Sequence, residues 1–159
     1  FSFYCAGIRI GDICRLYKEQ VVNGNKIEYK MHKNGKRVSL PLNRKAQAIA
    51  EKYMNAHSGA RLFPLIGPHL SRDEEGRQIK RATSRGNAVF KEVAKDLELP
   101  HMSWHAARAA FATYMVRKGT DIDTIRQLLK HSSIVTTQEY LASRSDDQLG
   151  DIVSDAMDF

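Results

Sequence analysis

Hydrophobic period changes once along this chain, and the change limits the architectures open to it. Between Leu16 and Leu42 the apolar and β-branched residues alternate or cluster in three short runs, Leu16 to Val22, Lys26 to Met31 and Arg37 to Leu42, with N-G-N and K-N-G-K between them. Such turn signals are too short for a crossover, so the runs predict a small three-stranded antiparallel sheet of two hairpins. From Asn43 onward the apolar spacing is helical. Asn43 caps a helix through roughly His57, with Ala46, Ile49, Ala50 and Tyr53 on its inner face. Ser58 to Gly76, with Pro64, Gly67, Pro68 and the acidic run Asp73-Glu74-Glu75, reads as loop, and Lys80, Arg81 and Arg85 introduce a helix to about Leu97 whose stripe is Val89, Phe90, Val93 and Leu97. Ala-rich Ala106 to Ala112 favours a further helix, Ile122, Ile125, Leu128 and Leu129 stripe the next, and Ser132 or Ser133 can cap a last short helix that delivers Tyr140. The expected class is α+β, mainly helical, with the small sheet as its minor part.

With 159 residues, 42% of them hydrophobic and 27% charged, the chain supports one well-buried core, and we expect a single domain over 1–159. Its net charge of +7 and pI near 9.5 point to a polyanionic partner. The excess is local: residues 1–45 hold ten Lys or Arg against three acids, whereas residues 142–159 hold one Arg against five Asp. Cys5 and Cys14 make neither a C-x-x-C motif nor a disulfide framework, which fits buried thiols in a reducing compartment. The apolar start, FSFYCAGIRI, lacks a basic n-region and is interrupted by Arg9, and no stretch approaches a membrane span, so the expected location is cytoplasmic. Phosphate-binding glycine loops and the nucleophile elbow of serine hydrolases do not occur.

The residues that carry chemistry cluster late. His105 and Arg108 stand three apart in a helical segment, so both leave one face. The following helix ends at His131, and the last one reaches Tyr140. A guanidinium fork, two imidazoles and a phenol gathered by three short helices suit a phosphodiester. His101 and His105 have the spacing of helical metal ligands, but no glutamate base follows His101 and Pro100 keeps it outside the helix, so no metal site is expected. Near the start, G-I-R-I-G-D-I-C-R-L places Arg9 and Asp12 about one turn apart.

H-A-A-R followed by L-L-K-H-S-S-I-V-T-T-Q-E-Y resembles the catalytic domain of the tyrosine recombinase, or phage integrase, family, whose pattern is H-x-x-R and then L-G-H-S-S-x-x-T-T-x-x-Y. Lys130 replaces the usual Gly and Ala109 stands where a second His is frequent. The segment from Gly7 is similar to the family's G-x-R-x-x-E/D-x-x-L, and Lys33, eight residues before Pro41, matches its lysine on the β2–β3 turn, with Lys36 as the competing candidate. The resemblance implies the helical fold of DNA breaking-rejoining enzymes and a metal-free, cofactor-free reaction. Tyr140 would be the nucleophile, Arg9 and Arg108 the charge acceptors, Lys33 the proton donor to the leaving oxygen, His105 the assistant to the phenol and His131 a donor to the phosphate, with Asp12 supporting. Two arginines suit that task because they remain charged and bind phosphate oxygens bidentately.

The implied partner is double-stranded DNA, approached by Lys30, Lys33, Lys36, Arg37, Arg44 and Lys45 and, on the long helix, by Lys80, Arg81 and Arg85. The resemblance further implies an N-terminal truncation, without a first helix and the DNA-binding domain or domains before it, and a tetrameric synapse of full-length subunits; the apolar stripe of the tail is small, so the isolated chain is expected to be monomeric. Residues 142–159 carry Leu149, Ile152, Val153 and Ala156 opposite Asp147, Asp151, Asp155 and Asp158, the pattern of an amphipathic tail helix. Two other readings stand beside this one. Gly119 to Leu141 can form a noncatalytic helix-turn-helix, and type IB topoisomerases share the tyrosine chemistry.

Overall fold

A computed structural model of the chain describes residues 1–99 and 102–142, apart from the side chains of Glu139, Tyr140 and Ala142. His101 and residues 143–159 of the expected tail helix lie outside the described residues.

The chain opens with a 3-10 turn, Phe3–Cys5, and reverses through Ala6 (φ 52°) and Gly7 (φ 65°) into a single helical turn α1, Ile10–Ile13, with Arg9 at its N-cap. The sheet follows in the order β1 (Val21–Val22), β2 (Lys26–Lys30), β3 (Arg37–Pro41), all antiparallel, with Ile27 opposite Leu40 and Tyr29 opposite Val38. The expected first strand shrinks to two residues. Lys18–Gln20 instead forms a 3-10 turn, because the Lys18 ammonium donates to the carbonyls of Met54 and His57, and the Tyr17 N–H donates to Gln20 Oε1 at 2.9 Å. A contact to a distant helix end outweighs the β propensity of the run.

Helix α2, Arg44–Ala56, begins where expected, with Asn43 Oδ1 accepting from the Ala46 N–H at 2.9 Å. Its Ala46 and Ala50 join Leu16, Ile27, Leu42, Leu62 and Phe63 in the main core, with Ile49 and Tyr53 packed against them. Burying one such large aliphatic side chain stabilises by about 1.5–3 kcal/mol.

Helix α3 runs from Arg72 to Asp96 and corrects two expectations. The acidic run assigned to the loop is its first turn, where the helix dipole favours carboxylates, and Ser71 caps it by accepting from the Glu74 N–H at 3.3 Å. Lys80, Arg81 and Arg85 therefore lie inside the helix rather than near its start. The stripe Val89, Val93 and Leu97 is 55%, 37% and 61% exposed, whereas the small residues Ala82 and Ala94 are buried. One side of α3 closes over Cys14 and Ile66. Buried Arg61 fastens that corner, donating to the Gly67 carbonyl (3.0 Å), the Cys14 carbonyl (3.3 Å) and Glu75 (3.3 Å), which also pairs with Arg15 at 2.7 Å.

Helices α4 (Trp104–Arg117), α5 (Ile122–Leu129) and α6 (Ile134–Ala142) bury Ala112, Ile125 and Leu129 in their own small core. Helix α4 meets α3 where Trp104 lies on Gly86, so close that a β-carbon there would stand 2.3 Å from the indole Nε1, and Phe90 meets the indole edge-on at 5.0 Å. Helix α4 also packs on the N-terminal turn, through Phe3 against Phe111 and Tyr114. Among the described residues no helix is long and apolar enough to cross a membrane.

Candidate active site

Asp12 has the first positioning contact. Its buried Oδ1 accepts the backbone N–H of His32 at 3.0 Å, which ties α1 to the loop between β2 and β3. That loop is closed by Met31 and Lys36 (2.9 Å) and by the Gly35 N–H on the Met31 carbonyl (2.9 Å), and Lys33 stands at its tip.

Helix α4 is set from both sides at its start. Ser103 Oγ accepts from the Ala106 N–H (3.3 Å), and Asn87 Oδ1, reaching across from α3, accepts from the Trp104 N–H (3.1 Å). These bonds satisfy amides that a helix cannot pair internally, and they hold the turn that carries His105. One turn on, the Arg108 guanidinium is buried, with Nη1 donating to the Gly7 carbonyl at 2.7 Å and Nη2 donating to the Leu129 carbonyl. The fork is thereby fixed between the N-terminal turn and the end of α5. Gly7 permits the approach, since a β-carbon on it would lie 2.9 Å from Arg108 Cγ and 3.0 Å from its Cα.

At the end of α5, Lys130 adopts a left-handed conformation (φ 55°), turning the chain so that the His131 N–H reaches the Arg126 carbonyl at 3.0 Å. His131 is 8% exposed, and its Nδ1 lies 3.0 Å from Thr137 Oγ1. Burial, and then the positive charges of Arg108, Arg9, Lys33 and His105, push its pKa down to about 4. The ring is neutral at neutral pH in the DNA-free protein. Burial pushes the Cys5 and Cys14 thiols up to about 12 and about 11, so both are inert packing groups. The Tyr29 phenol is also raised, by burial and then by the Asp12 charge.

Arg9, Lys33, His105 and Arg108, from three separate parts of the fold, line one open cleft of about 380 Å³. Lys36 does not line it. His131 does not line it, but the charges of Arg108, Arg9, Lys33 and His105 act on its ring. Helix α6 includes Tyr140. Lys30, Lys36, Arg37, Arg44, Lys45, Lys80, Arg81 and Arg85 are exposed around the fold. The cleft also takes in Arg15, His32, Thr83, Asn87 and Trp104, none of which sequence reasoning singled out. Nothing local marks Thr83 or Asn87; they belong to the site because α3 crosses α4 there. Chemically, cations from three parts of the fold lining one open cleft suit a bound phosphate diester and the extra negative charge that builds on its oxygens during attack at phosphorus.

The model of the phage integrase family matches residues 3–146. The chain belongs to that family. Family members among its relatives include the tyrosine recombinase XerC of Mycobacterium bovis, 28% identical over 86% of this chain and 46% of that protein. The tyrosine recombinase XerD of Vibrio vulnificus is 27% identical over 86% of this chain and 45% of its own length. This chain thus spans about half the length of these curated relatives. Among solved structures, XerA recombinase aligns with a TM-score of 0.67 at 21% identity over 98% of this chain and 56% of that one. A lambda integrase dimer bound to a COC′ core site aligns at 0.57 and 18% identity, over 91% of this chain and 50% of that one. The integrase fold, helical with a small three-stranded sheet, is therefore the fold of this chain. The family match runs through α5 and α6, the segment open to a helix-turn-helix reading, and does not favour that alternative.

Proposed function

We propose that this chain is the catalytic domain of a site-specific DNA recombinase that cuts and rejoins strands through a 3′-phosphotyrosyl intermediate on Tyr140. The observation that carries the reading is the convergence of Arg9, Lys33, His105 and Arg108 on one cleft. In this mechanism the Tyr140 oxygen attacks the scissile phosphorus and the 5′ oxygen departs, leaving the bond energy stored in the tyrosyl ester for rejoining. Arg9 and Arg108 accept the charge that grows on the nonbridging oxygens, and His131 donates a hydrogen bond to one of them. His105 assists loss of the phenol proton, and Lys33 protonates the 5′ oxygen. Asp12 supports the site through the loop that carries Lys33. The exposed lysines and arginines add salt-dependent contacts to the duplex.

Full recombination would require further domains and a tetrameric synapse, and likeness to bacterial Xer recombinases, whose DNA lies in the cytoplasm, supports action there. The test is recovery of a covalent protein–DNA adduct from a pool of nicked duplexes. Wild type should form it in EDTA and Tyr140→Phe should not. An adduct retained by Tyr140→Phe, or cleavage that EDTA abolishes and a divalent ion restores, would overturn the reading.

A further inference from the structure

Thr137 is fully buried in α6, and among the described residues its hydroxyl makes one hydrogen bond, to His131 Nδ1 at 3.0 Å. Helical threonines commonly donate instead to the carbonyl four residues back, as Thr83 does to Ile79 at 2.8 Å. Thr137 does not, so its proton has the imidazole as its destination. A neutral imidazole carries one proton, and the two tautomers differ in what they offer at the far nitrogen. If Nδ1 donated to the hydroxyl, the Thr137 proton would be left without an acceptor in a dry environment. If the hydroxyl donates to Nδ1, only spare lone pairs on oxygen are unmatched, a smaller penalty. The ring's neutrality at neutral pH makes the choice matter, because an imidazolium would donate from both nitrogens regardless.

We propose that Thr137 is a positioning residue that locks His131 in the tautomer protonated on Nε2, so that the ring presents a donor rather than a lone pair to the scissile phosphate. The functional half of this statement rests on the recombinase reading; the tautomer does not. Without Thr137 the ring would divide between tautomers, and the fraction protonated on Nδ1 would turn a lone pair towards an anion. The backbone of His131 is anchored separately, by its N–H on the Arg126 carbonyl (3.0 Å) and by Arg126 Nη1 on its own carbonyl (3.4 Å). Loss of the Thr137 hydroxyl therefore acts on the proton position more than on the placement of the residue.

The experiment is a long-range proton–nitrogen NMR spectrum of the whole chain at pH 7, without DNA, on wild type, Thr137→Ser and Thr137→Val. Wild type and Thr137→Ser should show His131 protonated on Nε2, and Thr137→Val should show exchange-averaged or reversed nitrogen shifts. In parallel, Thr137→Val should slow adduct formation by roughly twofold to tenfold, the inverse of the fraction of rings left in the competent tautomer, with DNA affinity unchanged and Thr137→Ser close to wild type. Wild-type His131 protonated on Nδ1 would overturn the inference, and that spectrum decides even if Thr137→Val fails to fold. An unchanged tautomer in folded Thr137→Val would overturn it as well. An Nε2 proton in a wild type that forms no adduct would support the lock while removing the recombinase reading.

Discussion

Gly7→Ala tests how the buried arginine is placed. The backbone at Gly7 has φ 65°, and an alanine there would take on a left-handed conformation that costs about 1–2 kcal/mol. Its methyl would meet Arg108 Cγ at 2.9 Å and the Arg108 Cα at 3.0 Å. The first of these can yield by a side-chain shift, but the second is the backbone of α4, so the turn and the helix must move apart. Overpacking of this kind typically costs about 1–3 kcal/mol. The sum is roughly 2–5 kcal/mol, equivalent to about 5–15 °C in melting temperature for a domain of this size. Separation also weakens the Nη1 bond to the Gly7 carbonyl, now 2.7 Å, and moves the guanidinium away from where a phosphate would sit. Because about 1 Å of misplacement can cost a hundredfold in rate, we expect adduct formation to fall at least tenfold at a temperature where circular dichroism shows the variant folded. The neighbouring Ala6→Gly, at φ 52°, is the control and should be neutral or slightly stabilising with full activity. A Gly7→Ala protein with wild-type melting temperature and wild-type cleavage would refute the argument.

Lys33→Ala should slow cleavage and recover much of the rate on a substrate with sulfur at the leaving position, since a thiolate departs without a proton; rescue of Lys36→Ala in its place would transfer the role. Lys130→Gly, at φ 55° in the α5 C-cap, should raise stability by about 0.5–1 kcal/mol, or about 1–4 °C, because glycine occupies that region without penalty; an unchanged or lower melting temperature would show the turn to be unstrained. His131 holds a pKa of about 4 when folded against about 6.5 unfolded, so below pH 6.5 the unfolded chain takes up a proton that the folded chain refuses, and stability falls with pH. Between pH 7 and pH 5 the loss from this one group is about 2 kcal/mol. Chemical denaturation of His131→Gln should show a correspondingly smaller acid effect, and an equal one would mean that the ring titrates normally.

Much of the architecture is determined by residues close to one another in the chain. The N-G-N and K-N-G-K turns set the two hairpins, and Asn43 starts α2 through a bond to an amide three residues away. The start of α3 carries a local signal as well, because Ser71 to Glu74 is an S-x-x-E capping pattern within an acidic first turn. The family motif around His105, Arg108, His131 and Tyr140 is legible for the same reason, since its parts are spaced along α4, the turn after α5, and α6. What the sequence could not disclose depends on which surfaces meet. The exposed Val89, Val93 and Leu97 have a core-like spacing, but nothing covers that side of α3 among the described residues, while the small Ala82 and Ala94 are covered. Leu16 to Gln20 has strand-like composition, but a lysine bond to the end of α2 makes part of it a 3-10 turn. Asp12 holding the Lys33 loop, Asn87 capping α4, and Gly7 receiving a guanidinium 101 residues away are chosen by packing alone. Helical and hairpin bonds join near neighbours at little loop-closure cost, so composition suffices to specify them. The site is assembled from distant segments, and only their simultaneous burial determines which side chains share the cleft.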